Sequence, residues 1–311
     1  MTVITVGSRA SQLARAQVTE YLAPLRRRLP HIVFRHRVMT ERADRDRRTA
    51  LIQVSREAGG AAFAGAQEAA LLAKEVDVIV HSFKDLPATS TPGLVVLPPP
   101  GREDVRDALC GSTLADLPKG ARVGTSAPRR IAQLLAARPD LQMVPIRGNV
   151  PPRLAKTRGA GGLDAVVLAA AGLRRLGRAD DISELLPTQP FTPSPAQGAL
   201  GIQIRADDTV LRDLLAGLGD PAADAQVRAE RAVLVALRSG CDVPVGAHAR
   251  LRSDGSLSLT ARVTALDGTR DIAVTATGPA ADPESLGRTV VDDLLRHGAE
   301  PLLDAARAVT A

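Results

Sequence analysis

Three kinds of side chain in this sequence could do chemistry together: a lone carboxylate, a set of arginines and a cysteine. The carboxylate is Asp85, in Val76-Asp77-Val78-Ile79-Val80-His81-Ser82-Phe83-Lys84-Asp85-Leu86-Pro87. The apolar, β-branched run reads as a buried strand that breaks into a polar turn closed by proline. Open α/β sheets present chemistry in this way, at the C-terminal ends of strands. A carboxylate there can accept a hydrogen bond from an N–H, stabilise a developing cation or shuttle a proton. A solvated turn ahead of a proline would have the same local sequence, and His81 reads as a buttress of that turn.

The arginines recur in turns between strand-like and helix-like segments: Arg9, Arg129 with Arg130, Arg147 with Arg153, and Arg175. Helix N-termini already attract anions through free N–H groups and the dipole, so arginine is not needed there for stability. Singly, each could be a solvated charge. Recurrence at strand ends in two segments points to a cleft for several carboxylates or phosphates, which the planar guanidinium fork matches. Ser8, Ser11, Ser82, Thr125 and Asn149 share these turns, as helix caps or as ligand partners. Cys241 lies between Gly240 and Asp242, in a loop where a thiol can react or be derivatised; a small buried hydrophobe is the alternative. Cys110, behind Ala108-Leu109, reads as core. The five histidines show no metal spacing, and Gly159-Ala160-Gly161-Gly162 is neither a phosphate-loop nor a dinucleotide signature.

The elements that must position these groups alternate β and α. Residues 3–6 read as a strand, followed by a helix with Leu13, Ala16, Gln17, Tyr21 and Leu25 at helical spacing. Residues 32–39 form a second strand, 66–74 a helix, and 94–97 a further strand. Pro98-Pro99-Pro100-Gly101 predicts a domain crossing. The alternation then repeats, with strands at 121–124, 141–146 and 165–168. Thr125 or Ser126 could cap the helix that holds Pro128 in its first turn. Residues 199–204 read as a strand that re-enters the first domain. The last third differs: a helix over 224–237, the Cys241 loop, three strands with turns at Asp254-Gly255 and Asp267-Gly268, then two helices. The expectation is three domains, 1–98 with 198–218, 99–197 and 219–311, the last a separate α+β unit.

Composition narrows the partners. The chain has 311 residues, 45% hydrophobic but only 2% aromatic, and a formal net charge of +6 carried almost wholly by arginine. Aromatics are too few for base stacking and no nucleic-acid motif stands out, so small anionic ligands fit better than nucleic acid. No apolar run reaches membrane-spanning length and no secretory leader pattern precedes residue 3. Two cysteines make no disulfide framework, so the expected location is the reducing cytoplasm.

Several longer motifs follow one another in a telling order. They are Gly7-Ser8-Arg9-Ala10-Ser11-Gln12-Leu13-Ala14-Arg15-Ala16-Gln17, Val80 to Pro87, Arg102-Glu103-Asp104-Val105-Arg106-Asp107 and Gly124-Thr125-Ser126-Ala127-Pro128-Arg129-Arg130. Ile146-Arg147-Gly148-Asn149-Val150, Leu168 to Gly177, and Gly240-Cys241-Asp242-Val243-Pro244-Val245-Gly246 complete the series. Over essentially its full length the chain resembles the porphobilinogen deaminase, or hydroxymethylbilane synthase, family. The resemblance implies an α/β fold of two lobes like those of type II periplasmic binding proteins, plus a C-terminal α+β domain carrying the cysteine. It implies a dipyrromethane cofactor held by Cys241 through a thioether. Four porphobilinogen molecules would be joined to it head to tail, releasing ammonia and then hydroxymethylbilane. Asp85 would be catalytic, stabilising the cationic azafulvene and the pyrrole N–H groups. Arg9, Ser11, Ser82, Lys84, Thr125, Arg129, Arg130, Arg147, Gly148, Asn149, Arg153 and Arg175 would bind cofactor and substrate. No metal, membrane or nucleic acid is implied, and the chain would act as a monomer.

There are departures from the family pattern. Gly59-Gly60-Ala61-Ala62-Phe63 lacks the usual loop lysine, Val105 replaces a proline, Ala127 a serine and Ala196 a glycine. They keep open a divergent paralogue with reduced or lost turnover that only binds anionic pyrroles. A two-lobed anion-binding module is the reading from another class, and it would need neither Asp85 nor Cys241.

Overall fold

The computed structural model describes residues 2–41, 64–159, 162–238 and 243–310. They form three sheets, two of five strands and one of three. Two compact units result: Met1–Glu103 with Gly198–Asp224, and Asp104–Gln197 with Ala225–Ala311.

The first unit opens with β1 (Thr2–Arg9), α1 (Gln12–Arg28) and β2 (Ile32–Met39). The Ser11 hydroxyl caps α1, accepting from the Ala14 N–H at 3.1 Å. The helix buries Ala14, Gln17, Val18, Tyr21, Leu22 and Leu25, one stripe at helical spacing. Leu13 and Ala16, expected on that face, lie at its margin. Arg26, Arg27 and Arg28 fill the last turn, where the helix dipole favours cations. Then come α2 (Gly65–Leu72), β3 (Val78–Ser82) and β4 (Leu94–Leu97). Strand β3 is buried on both faces. Val78 and Val80 join the core with Ile4, Val6 and Leu22, whereas Ile79 faces Leu71 and Val76. Period-2 alternation between two cores explains its continuous apolar run.

The second unit begins with β5 (Asp107–Cys110), β6 (Arg122–Gly124), α3 (Pro128–Ala137), β7 (Gln142–Val144) and α4 (Val150–Leu154). It continues through β8 (Ala165–Ala169), α5 (Ala170–Arg175) and β9 (Glu184–Leu185). The chain then returns to the first unit as β10 (Leu200–Arg205) and α6 (Thr209–Ala216). Each five-stranded sheet follows one plan. The first runs β2-β1-β3-β10-β4, with β1 parallel to β2 and β3, and β10 antiparallel to β3 and β4. The second runs β7-β6-β8-β5-β9, with β5 in the antiparallel position. Two sheets of one plan are what the expected pair of lobes requires. Strand β5 has no counterpart among the strands read from the sequence, where Ala108-Leu109-Cys110 reads only as core. Cys110 sits on it, fully buried in the core, and burial lifts its thiol to about 12.

Helix α7 (Pro221–Ala236) leads to β11 (Val245–Leu251), β12 (Ser256–Thr264) and β13 (Asp271–Pro279), an antiparallel meander. Helices α8 (Pro283–Arg296) and α9 (Glu300–Thr310) follow, α8 burying Leu286, Val290, Val291 and Leu294. This sheet shares a compact unit with residues 104–197. The buried Glu230 of α7 accepts from the N–H groups of Ala196 and Ala249, both at 2.7 Å, tying the two segments together. The turn at Gly268 (φ +76°) docks on α3, so close that an added Cβ would stand 2.5 Å from the Leu135 carbonyl carbon. Backbone-to-backbone docking of this kind leaves little trace in sequence.

Gly268→Ala is therefore expected to lower stability by roughly 2–4 kcal/mol, from positive-φ strain plus overpacking. Gly255, also at positive φ (+81°) but facing open space, gives the comparison: Gly255→Ala should lose about 1 kcal/mol. Denaturant melts of the two variants check this, and equal losses would remove the docking contact from the account.

Candidate functional site

In the first unit, β3 ends at Ser82 and the chain makes a tight 3-10 turn over Phe83–Asp85. The Leu86 N–H donates to the Phe83 carbonyl at 3.1 Å, and the Phe83 N–H to that of Ala199 at 3.1 Å. Phe83 and Leu86 are buried, so the turn is pinned from below and Lys84 and Asp85 stay half-buried. Because β1 neighbours β3 in parallel, Arg9 at the end of β1 reaches Asp85, Nη1 to Oδ2 at 3.7 Å. The two side chains are 18% and 30% exposed, and such a pair is worth about 0–1 kcal/mol. It aligns the carboxylate without committing it. Gln17, buried on α1, meets the Ser82 hydroxyl, Nε2 donating at 2.9 Å.

His81, just before the end of β3, joins a largely buried polar chain. Thr91 donates to Glu68 at 2.7 Å, Gln203 Nε2 donates to Glu68 at 2.7 Å, and Gln203 Oε1 lies 3.0 Å from His81 Nε2. With the Gln203 nitrogen committed to Glu68, its oxygen faces the ring, so His81 carries its proton on Nε2. Burial pulls the His81 pKa down to about 4; the Gln203 bond opposes this and the Arg9 charge adds to it. The ring is neutral and structural, the buttress expected from the sequence. Ser8 is also buried, donating to the Arg9 carbonyl at 3.0 Å with His36 Nε2 at 2.8 Å, and Ser11 is the α1 cap.

In the second unit, the turns after β6, β7 and β8 all leave one edge of the sheet. They bring Thr125, Arg129 and Arg130, then Arg147, Gly148, Asn149 and Arg153, then Arg175 to that edge. The Ser126 hydroxyl donates to the Ile146 carbonyl at 2.7 Å and accepts from the Ile146 N–H at 2.9 Å, fastening the first turn to the second. Neither Thr125 nor Ser126 caps α3. The N-cap is Ala127, without a side-chain bond, because Ser126 is held by Ile146 and Thr125 accepts only from the Ala127 N–H at 3.3 Å. Gly148 takes φ +103°, a left-handed conformation that favours glycine. Arg147, Arg153 and Arg175 are half-buried.

Arg129 and Arg130 are not solvated charges. They are 5% and 7% exposed and converge on Asp107, itself 1% exposed. Arg129 Nη2 donates to Oδ2 at 2.7 Å; Arg130 Nη2 and Nε donate to Oδ1 at 2.7 and 3.1 Å. Gln197 Nε2 adds a bond to Oδ1 at 2.9 Å. Burial alone would raise the Asp107 pKa, but the two guanidinium charges and these bonds outweigh it and hold the carboxyl well below the usual range. Asp107, Gln197, Gln17 and Gln203 were not among the site residues read from the sequence. Asp107 has one signal, a charge directly ahead of the buried Ala108-Leu109-Cys110. Gln17 reads only as a helix position, and Gln197 and Gln203 have no signal, since their partners are remote in the chain. Cys241 and the stretch from Gly59 to Phe63 lie outside the described residues. Among the described residues no cluster could hold a metal ion and no helix is long and apolar enough to cross a membrane.

Comparison with known proteins adds to this geometry. A sequence model described as "Porphobilinogen deaminase, dipyromethane cofactor binding domain" matches residues 4–213, and one described as "Porphobilinogen deaminase, C-terminal domain" matches residues 225–296. The porphobilinogen deaminase of Geobacter metallireducens is 44% identical over 302 residues, covering 96% of this chain and 93% of that one. That of Deinococcus radiodurans is 41% identical over 311 residues, covering 99% and 100%. Among solved structures, a periplasmic substrate-binding protein from Coxiella burnetii covers 71% of this chain and 93% of its own, with TM-score 0.42 and 15% identity. At that distance the likeness carries no weight beside the strand order.

The neutral His81 makes a signed prediction. Its folded pKa, about 4, lies below the ordinary 6.5, so between those values the unfolded chain takes up a proton that the folded chain refuses. This contribution is fully present above pH 6.5 and is lost as pH falls toward 4, at about 1.4 kcal/mol per pH unit. The stability difference between wild type and His81→Asn, measured by denaturant titration, should shrink over that window. A difference constant with pH would place the proton on the folded ring.

Proposed function

The chain belongs to the porphobilinogen deaminase family, and from that membership we propose how its residues divide the work of a transferase that joins four porphobilinogen molecules head to tail. The observation that carries the reading is Asp85 presented beside Arg9 at a strand end, in a chain with a second, arginine-lined sheet edge. The substrate is a pyrrole with two carboxylate arms and an aminomethyl group. Arginines suit the arms because a guanidinium donates in a fork that a carboxylate accepts. When the aminomethyl C–N bond breaks, the electron pair leaves with nitrogen as ammonia and positive charge spreads over the pyrrole. Asp85 stabilises that charge and accepts from the pyrrole N–H. The carbon of the next pyrrole then attacks the exocyclic carbon and loses its ring proton.

The donor set fits a bound dipyrromethane: one sheet edge carries Arg129, Arg130, Arg147, Arg153 and Arg175 with Thr125, Gly148 and Asn149, suited to a group rich in carboxylates. Held through Cys241, that group supplies the pyrrole end to which the first substrate adds. Arg9, Ser11, Ser82 and Lys84 line the Asp85 side. Residues 1–98 with 198–218 thus carry the catalytic carboxylate, 99–197 the arginines and 219–311 the attachment cysteine. The protein acts as a monomer in the cytoplasm on a small molecule, without nucleic acid or membrane.

Intact-mass measurement of the purified chain should show an adduct the size of two linked pyrroles, absent from Cys241→Ser. A chain that stays unmodified after incubation with porphobilinogen overturns the reading. Asp85→Asn should keep the arginine sites intact while turnover falls about a hundred- to thousandfold, because the cation loses its counter-charge. Wild-type turnover in that variant would take Asp85 out of the chemistry.

A further inference from the structure

Arg129 and Arg130 are consecutive residues in the first turn of α3. Two features work against their convergence. Consecutive side chains on a helix point about 100° apart, and the positive end of the helix dipole disfavours cations. Something else must draw both guanidiniums to one place. Asp107 does so, giving Oδ2 to Arg129 and Oδ1 to Arg130. Backbone carbonyls complete the hold: Thr192 accepts from Arg129 Nη1 at 2.8 Å and Val167 from Arg130 Nη1 at 3.0 Å. Each guanidinium is thus gripped on two sides and its plane is set. The carboxylate is itself held. Asp107 lies on β5, which pairs with the end of β8, and Gln197 Nε2 bonds both Asp107 Oδ1 and the Val105 carbonyl, at 2.9 and 2.7 Å.

We propose that Asp107 and Gln197 are positioning residues: the buried carboxylate and the amide that anchors it aim Arg129 and Arg130 at a carboxylate of the bound pyrrole. This rests on the assignment of those arginines as carboxylate binders. Asp107 supplies one negative charge to two cations, which keeps the pair together but still positive. Without it the guanidiniums repel and turn apart. Gln197 acts one step further out, by limiting the rotation of the Asp107 carboxylate.

The test compares wild type, Asp107→Asn and Gln197→Leu as full chains. The readouts are the rate of covalent adduct formation by intact mass at limiting porphobilinogen, KM and kcat of the loaded fraction, and the melting temperature. Asp107→Asn should slow adduct formation about tenfold or more and raise KM for porphobilinogen by a similar factor, with kcat of the loaded fraction changed less. Gln197→Leu leaves both arginine–carboxylate bonds in place, so it should lose less melting temperature than Asp107→Asn yet raise KM severalfold. Should Asp107→Asn not fold, the Gln197→Leu result decides alone. A lower melting temperature with unchanged adduct rate and KM in the folded variants overturns the proposal, leaving Asp107 only structural. Failure of the underlying assignment looks different: the wild-type chain itself would acquire no adduct.

Discussion

Two guanidiniums can leave water only with an anion for company, and in this protein that anion is Asp107. A buried charge without a partner is unfavourable by several kcal/mol, so the position of Asp107 dictates what lies around it. Strand β5 must run antiparallel beside β8 to place Asp107 at the sheet edge where α3 begins. Gln197 must lie close enough to bond it, at the end of the segment that returns the chain to the first unit. Arg129 extends the network to Thr192, whose hydroxyl accepts from Arg262 of β12 at 3.1 Å. One carboxylate therefore organises α3, β5, β8 and the docking of the C-terminal sheet.

The first unit sets a carboxylate among neutral partners instead. The buried His81, Gln203 and Glu68, with the half-buried Thr91, form a chain in which each donor finds an acceptor. It links β3, through His81, to β10, through Gln203, and on to α2, through Glu68.

Much of this was legible in the sequence. The β-branched run ending in His81 to Pro87 specified a strand and a turn through local sterics and burial. The antiparallel meander followed from alternation and from turns at Gly255 and Gly268. Arginine in successive β-α turns marked one edge of the second sheet. Less legible was the state of each arginine. Arg129 and Arg130 look like Arg147 and Arg153 in sequence, but the first pair is buried on Asp107 and the second is half-buried. Capping at α3 was misread for a related reason: Ser126 is a good cap by type, but Ile146, remote in sequence, takes its hydroxyl.

By itself, then, the sequence determined the elements, their order and the chemical groups at their ends. Those depend on interactions a few residues long, such as helical stripes, strand alternation and turn-forming glycines. Tertiary structure alone decided which polar groups pair with one another inside the protein. The partners involved, Asp107 with Arg129 and Arg130, Gln197 with Asp107, Gln17 with Ser82 and Glu68 with Gln203, lie from about twenty to well over a hundred residues apart. No local pattern encodes such pairs, because they form only where the sheet order brings distant strand ends to one edge.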